Sequence, residues 1–109
     1  MKKMLILAMT MAMVLLAAAG VCETLRVGME CDYAPFNWTQ AQQSDTAVPI
    51  EGGGYADGYD VQIAKIIAEQ MGRELVIVKT EWDGLTLALQ SGKIDAIIAG
   101  MSPTEKRRQ

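Results

Sequence analysis

Twice in this chain an amphipathic helical stretch is followed by a run of apolar residues, and few folds accept that order. From Asp60 to about Met71 apolar residues recur at helical spacing. Val61, Ala64, Ile67, Ala68 and Met71 share one face, and Ile63 and Ile66 widen it. Asp60 is placed to cap this helix, and Gly72 stands where helices commonly stop. Leu75, Val76, Ile77 and Val78 then run without a polar break, the pattern of a strand covered on both faces. Trp82 precedes a second, shorter helix from Asp83 to Gln90, capped by Asp83 and closed near Gly92. The run from Ile94 to Ala99, broken by Asp95, gives another buried strand.

Ahead of both lies a short alternating strand, Leu25, Val27 and Met29. Strand, helix, strand, helix, strand is the order of a parallel sheet with right-handed crossovers. The expected fold is therefore α/β; if the second and third strands lie on opposite sides of the first, order 2-1-3, a switch point falls between the first and third. Ligands of open α/β sheets bind beyond the carboxyl ends of the strands, in the crevice where strand order reverses. Two loops meet there, residues 30–37 after the first strand and residues 100–104 after the third. The polar stretch of residues 38–57 is longer than an ordinary connection. Val48, Pro49 and Ile50 ahead of Gly52–Gly54 mark it as a hairpin arm or flap.

The first 22 residues read as an address. Lys2 and Lys3 are followed by an uncharged stretch from Met4 to Leu16 and by small residues at Ala17, Ala18, Ala19 and Gly20, the layout of a secretory signal. The apolar run is shorter than the roughly 20 residues a membrane-spanning helix needs. Residues 1–22 are thus expected to be removed, with cleavage between about 19 and 22, leaving residues 23–109 as the folded unit in the periplasm or its equivalent. Cys22 stands where a lipid-anchored protein carries its modified cysteine. Val21 before it and the absence of a tether before the first strand favour an unmodified residue. A Cys22–Cys31 disulfide is open in an oxidising compartment.

Without that segment the chain has eight basic and thirteen acidic residues, a formal charge of −5. An acidic surface argues against nucleic acid as a partner. The chain has no histidine, which excludes a histidine-based metal site and a Ser–His–Asp triad. No cofactor or metal is expected.

Residues 100–107, G-M-S-P-T-E-K-R, are the most informative segment. Ser102 can cap a helix, Pro103 suits its first position, and Glu105 completes a capping box. A helix starting there would turn its free N–H groups and dipole toward an anion. Arg107 adds a planar fork matched to a carboxylate, and Gly100 admits close approach to the backbone. From these residues alone, an ordinary helix start with a surface arginine is equally open. Tyr33, Phe36 and Trp38 in the first loop and Trp82 ahead of the second helix supply aromatic walls, with Phe36 assigned to the core. Glu30 ends the first strand, either to receive a polar or cationic ligand group or as a plain solvated acid. Glu30 and Asp32 are the acids nearest the crevice.

Three segments, G-Y-D-V-Q-I-A-K-I-I-A-E-Q-M-G (residues 58–72), W-D-G-L-T-L-A-L-Q-S-G-K-I-D-A-I-I-A-G-M-S-P-T-E-K-R (residues 82–107) and the Y-A-P-F loop, together resemble bacterial extracellular solute-binding proteins of family 3. These are the polar amino-acid receptors of ABC importers. The resemblance implies the first lobe of a type II periplasmic binding protein, mostly parallel and three-layered. It implies that Tyr33 and Trp82 flank an amino acid, that Gly100 and Ser102 hydrogen-bond its α-amino and α-carboxylate groups, and that Arg107 pairs with the carboxylate. Glu30 falls where many relatives carry an acid near the ligand side chain. The implied partners are a small-molecule amino acid and an ABC permease, with the receptor a monomer and not an enzyme. The alternatives are a same-fold enzyme of the cyclic amino-acid dehydratase type and the sensing lobe of a larger receptor. The arm at residues 38–57 is longer than in many members. Gln109 falls where the family continues into its second lobe, so the chain reads as a truncated gene or a fragment.

Overall fold

The computed structural model describes residues 23–109, so the expected signal, Cys22 and its pairing with Cys31 lie outside the described residues. The sheet is built on β1, Thr24–Met29. Its side chains alternate toward two packed layers, and Leu25, Val27 and Met29 are all buried. After β1 come β2 (Asp32–Tyr33), β3 (Asn37–Gln40), β4 (Val48–Pro49) and β5 (Tyr55–Asp57). Helix α1 spans Tyr59–Gln70 and is followed by β6, Glu74–Lys79. A 3-10 turn at Trp82–Gly84 leads into α2, Leu85–Gln90, then β7, Ala96–Ile97, and a last 3-10 turn at Lys106–Arg108.

The strand order is β6-β1-β7, and both pairings are parallel. This is the expected 2-1-3 arrangement. A second sheet, antiparallel and ordered β2-β3-β5-β4, is made from the loop and the long polar arm. The arm is thus folded structure, and it returns to the first sheet. Ile50 bridges Ile77 in parallel, and Glu51 N–H donates to Ile77 O at 2.9 Å. Arg26 on β1 reaches across to form an ion pair with Glu51.

Four local expectations are corrected. Asp60 does not cap α1. Gly58 holds that position, with φ 122°, and the N–H groups of Tyr59 and Asp60 donate to the carbonyls of Pro35 (3.2 Å) and Phe36 (2.8 Å). A Cβ at Gly58 would sit 2.5 Å from Phe36 O, so only glycine lets the loop serve as the helix cap. Asp83 likewise makes no cap hydrogen bond, because the chain enters α2 through a 3-10 turn with Gly84 at the cap. The apolar stripe of α1 is only half used. Val61, Ala64 and Ala68 are buried, while Ile66, Ile67 and Met71 are exposed. Nor is β6 fully covered on both faces: Ile77 alone is fully buried, while Leu75, Val76 and Val78 are half-buried. The core is formed by the β1 residues with Ile77, Val61, Ala64, Leu85 and Ile94.

The arm is tied to α1 at the Thr46 carbonyl, which accepts from Gln62 Nε2 at 3.0 Å, and at one carboxylate. Asp57 accepts hydrogen bonds from Thr46 Oγ1 (2.6 Å), Gly58 N–H (2.8 Å), Gln62 Nε2 (3.2 Å) and Ser44 Oγ (3.5 Å). Burial raises its pKa, but these donors outweigh burial and hold the carboxyl below its ordinary 3.8. A depressed folded pKa gives stability that is complete above the unfolded value and is lost as pH falls through the folded one. Asp57→Asn should therefore lower stability near neutral pH and flatten the loss of stability below about pH 4. Urea unfolding at a series of pH values checks this; an unchanged acid limb would contradict it.

Candidate functional site

Because β1, β6 and β7 run parallel, their carboxyl ends lie along one edge, and the segments leaving them meet there. Glu30 follows directly on β1, and Tyr33 lies in β2. Trp82 opens the turn after β6, and Gly100, Ser102 and Arg107 follow β7. All six, the residues singled out from sequence, line one open cavity of about 310 Å³.

Arg107 is held in place from two sides. Its guanidinium carbon lies 5.5 Å from the centroid of the Trp82 ring, within cation–π range, and Nη1 donates to Ser102 O at 2.8 Å. A guanidinium has five N–H donors in a planar fork, so the remaining ones stay available to a carboxylate. Tyr33 stacks at a tilt on Phe36, ring centroids 5.1 Å apart. Gly100, at φ 63°, lies against that pair. Phe36 is consequently at the rim, 37% exposed, and not in the core. Trp38 does not line the cavity; it belongs to β3, and its Nε1 donates to Gln40 Oε1.

The expected helix start at Ser102 is corrected. The chain turns two residues later, where Arg107 N–H donates to Thr104 O (3.0 Å) and Thr104 Oγ1 (3.3 Å). Glu105 does not close a capping box but pairs with Arg108 at 3.6 Å on the surface. A single 3-10 turn aligns few peptide dipoles, so attraction for an anion here rests on Arg107 rather than on a helix terminus.

Glu30 is shared with a neighbouring cavity of about 350 Å³, whose other lining residues are Asp32, Lys79 and Glu81. Cys31 lies between Glu30 and Asp32 in the chain. Its thiol is buried, and burial pushes its pKa up to about 11 against the opposing pull of Lys79, so the sulfur stays protonated near neutral pH. Among the described residues no group of acidic or sulfur side chains is arranged to hold a metal ion. Sequence reasoning missed Asn37 and Thr39. Asn37 is fully buried, its Oδ1 accepting from Cys31 N–H at 2.8 Å, and Thr39 Oγ1 donates to Cys31 O at 2.8 Å. The signal available was an asparagine directly after the Pro35–Phe36 turn, a residue type that bonds nearby backbone.

A family model for bacterial extracellular solute-binding proteins, family 3, matches residues 25–109. A probable histidine-binding protein of Campylobacter jejuni is 41% identical over 91 residues, covering 84% of this chain and 31% of that protein. The arginine-bound domain 1 of TmArgBP superposes with a TM-score of 0.62 at 39% identity, over 78% of this chain and 59% of that one. The ancestral amino acid-binding protein AncCDT-1, described as a precursor of cyclohexadienyl dehydratase, gives 0.65 at 36% identity, over 78% of this chain and 33% of its own. The chain spans about a third of the length of the curated relatives it matches.

The contact of Gly100 with the Tyr33 ring yields a direct test. A Cβ there would lie 3.3 Å from Tyr33 Cε1 on a left-handed backbone. Gly100→Ala should destabilise the full-length protein by about 1–2 kcal/mol, read from urea unfolding. A neutral substitution would contradict the packing described.

Proposed function

The chain belongs to family 3 of the bacterial extracellular solute-binding proteins, and we propose that it binds a polar amino acid with a cationic side chain, outside the cytoplasm, for delivery to an ABC importer. The observation that carries this is that residues of opposite charge, Arg107 and Glu30, line one cavity of about 310 Å³. Arg107, stacked on Trp82, and Glu30 both line it, and the neighbouring cavity that shares Glu30 adds Asp32 and Glu81 beside Lys79. The ligand carboxylate pairs with Arg107. Its α-amino group meets the backbone of Gly100 and the hydroxyl of Ser102, its apolar stem lies between Tyr33 and Trp82, and its cationic end is directed to Glu30. The names of the relatives, histidine- and arginine-binding, support the cationic class.

In this reading residues 1–22 direct export and residues 23–109 form the first lobe of the binding domain. The receptor acts as a monomer, needs no cofactor, and releases the amino acid unchanged to the permease. Recovery of the ligand unaltered after prolonged incubation separates this from a same-fold dehydratase.

Calorimetric titration of the full-length protein with the twenty amino acids tests the reading. Saturable binding of arginine, lysine or histidine is expected, and binding of none of the twenty would refute it. Arg107→Ala removes a charge-assisted pair and should weaken binding by about 1.5–3 kcal/mol. An unchanged affinity would remove Arg107 from its assigned role.

A further inference from the structure

Cys31 is the one non-glycine residue among those described with a left-handed backbone, φ 59°. That conformation costs an ordinary residue about 1–2 kcal/mol and persists only where its surroundings enforce it. Here both backbone polar groups of Cys31 are taken by side chains. Asn37 Oδ1 accepts its N–H at 2.8 Å, and Thr39 Oγ1 donates to its carbonyl at 2.8 Å. Asn37 is itself held, because Nδ2 donates to Asp60 Oδ2 at 2.9 Å. Only one orientation of the Asn37 amide serves both neighbours, since the N–H of Cys31 needs an acceptor and the Asp60 carboxylate needs a donor. Asn37 and Asp60 are both buried, 0% and 5% exposed, and Asp60 lies in the first turn of α1. That turn is latched to the same loop through the Pro35 and Phe36 carbonyls.

The turn so enforced carries Glu30 on its near side and Asp32 and Tyr33 on its far side. Glu30 lines both the cavity that holds Tyr33 and Arg107 and the one that holds Asp32 and Lys79. A relaxed backbone at Cys31 would redirect the adjoining Glu30, which shares a cavity with Arg107. We propose that Asn37 and Asp60 are positioning residues that set the direction of Glu30, and with it the preference for a cationic ligand. This rests on the reading of the crevice as an amino-acid site.

An exchange of the two side chains tests the proposal. Asn37→Asp alone sets two carboxylates against each other, whereas Asn37→Asp with Asp60→Asn restores the chain with its polarity reversed. In the exchanged pair the carboxylate at 37 still accepts from Cys31 N–H, and the amide at 60 now donates to it. In the full-length protein, Asn37→Asp should weaken L-arginine binding roughly tenfold while changing L-glutamine binding much less. The exchange should return the arginine-to-glutamine ratio toward that of the parent. A purely structural role would lower both affinities alike. The amide of Cys31, followed by nitrogen-15 NMR and hydrogen exchange without ligand, should lose its protection in Asn37→Asp and regain it in the exchange. Equal loss for both ligands, an unchanged Cys31 amide in the single variant, or an exchanged protein that fails to fold or to recover would overturn the proposal. If the parent binds neither amino acid, the functional reading fails on its own, and the Cys31 amide alone decides whether the clamp exists.

Discussion

β1 pairs in parallel with β6 from Thr24↔Glu74 to Met29↔Lys79, and with β7 at Val27↔Ala96 and Gly28↔Ile97. Parallel pairing on both sides of one strand obliges all three chains to leave the sheet at the same edge. Residues 52 or more positions apart in sequence, Glu30 and Trp82 among them, are brought together by that constraint alone. The burial of Val27, Met29 and Ile77 holds the strands in register, since a slip of one residue would turn the apolar set to the opposite face. The cavity is therefore a consequence of strand direction, and its chemistry is decided by the few residues that follow each strand.

Those few residues divide into ones that face the cavity and ones that hold them there. Trp82 and Ser102 O restrict the guanidinium of Arg107 before any ligand arrives, so less side-chain freedom is lost on binding. Glu30 is restricted through the backbone, by the turn at Cys31 and the buried Asn37–Asp60 hydrogen bond behind it. The antiparallel arm adds a third support. It returns through Ile50 and Glu51 to the free side of β6 and ties Asp57 to α1. The last two join a loop to an element of the main sheet or its helix, whereas Arg107 is held by a turn and a loop.

The features legible in the sequence were those with a period or a fixed place along the chain. The two helix-and-strand pairs gave the parallel α/β sheet, and the loops beyond its strands gave the six residues that share the cavity. Capping was misread at Asp60, Asp83 and Ser102, because an acid or hydroxyl at the right spacing satisfies the local rule without revealing competitors. Asp60 is drawn inward by Asn37, and the Pro35 and Phe36 carbonyls take the place of a side-chain cap. At Ser102 the chain delays its turn to Thr104. The clamp on Cys31 joins residues 31, 37 and 60 through contacts that no periodicity records. Likewise Ile66, Ile67 and Met71 continue the stripe of α1 in sequence, but among the described residues nothing packs over them fully.

The central claim is that one α-amino acid lies across the cavity with its carboxylate on Arg107 and its cationic end toward Glu30. A crystal structure of the full-length protein with L-arginine tests it most directly. The account predicts the ligand carboxylate within hydrogen-bond distance of the Arg107 guanidinium, its stem between Tyr33 and Trp82, and its guanidinium on the side of Glu30. Arginine bound in the reverse orientation, or at a place that leaves these residues untouched, would contradict it.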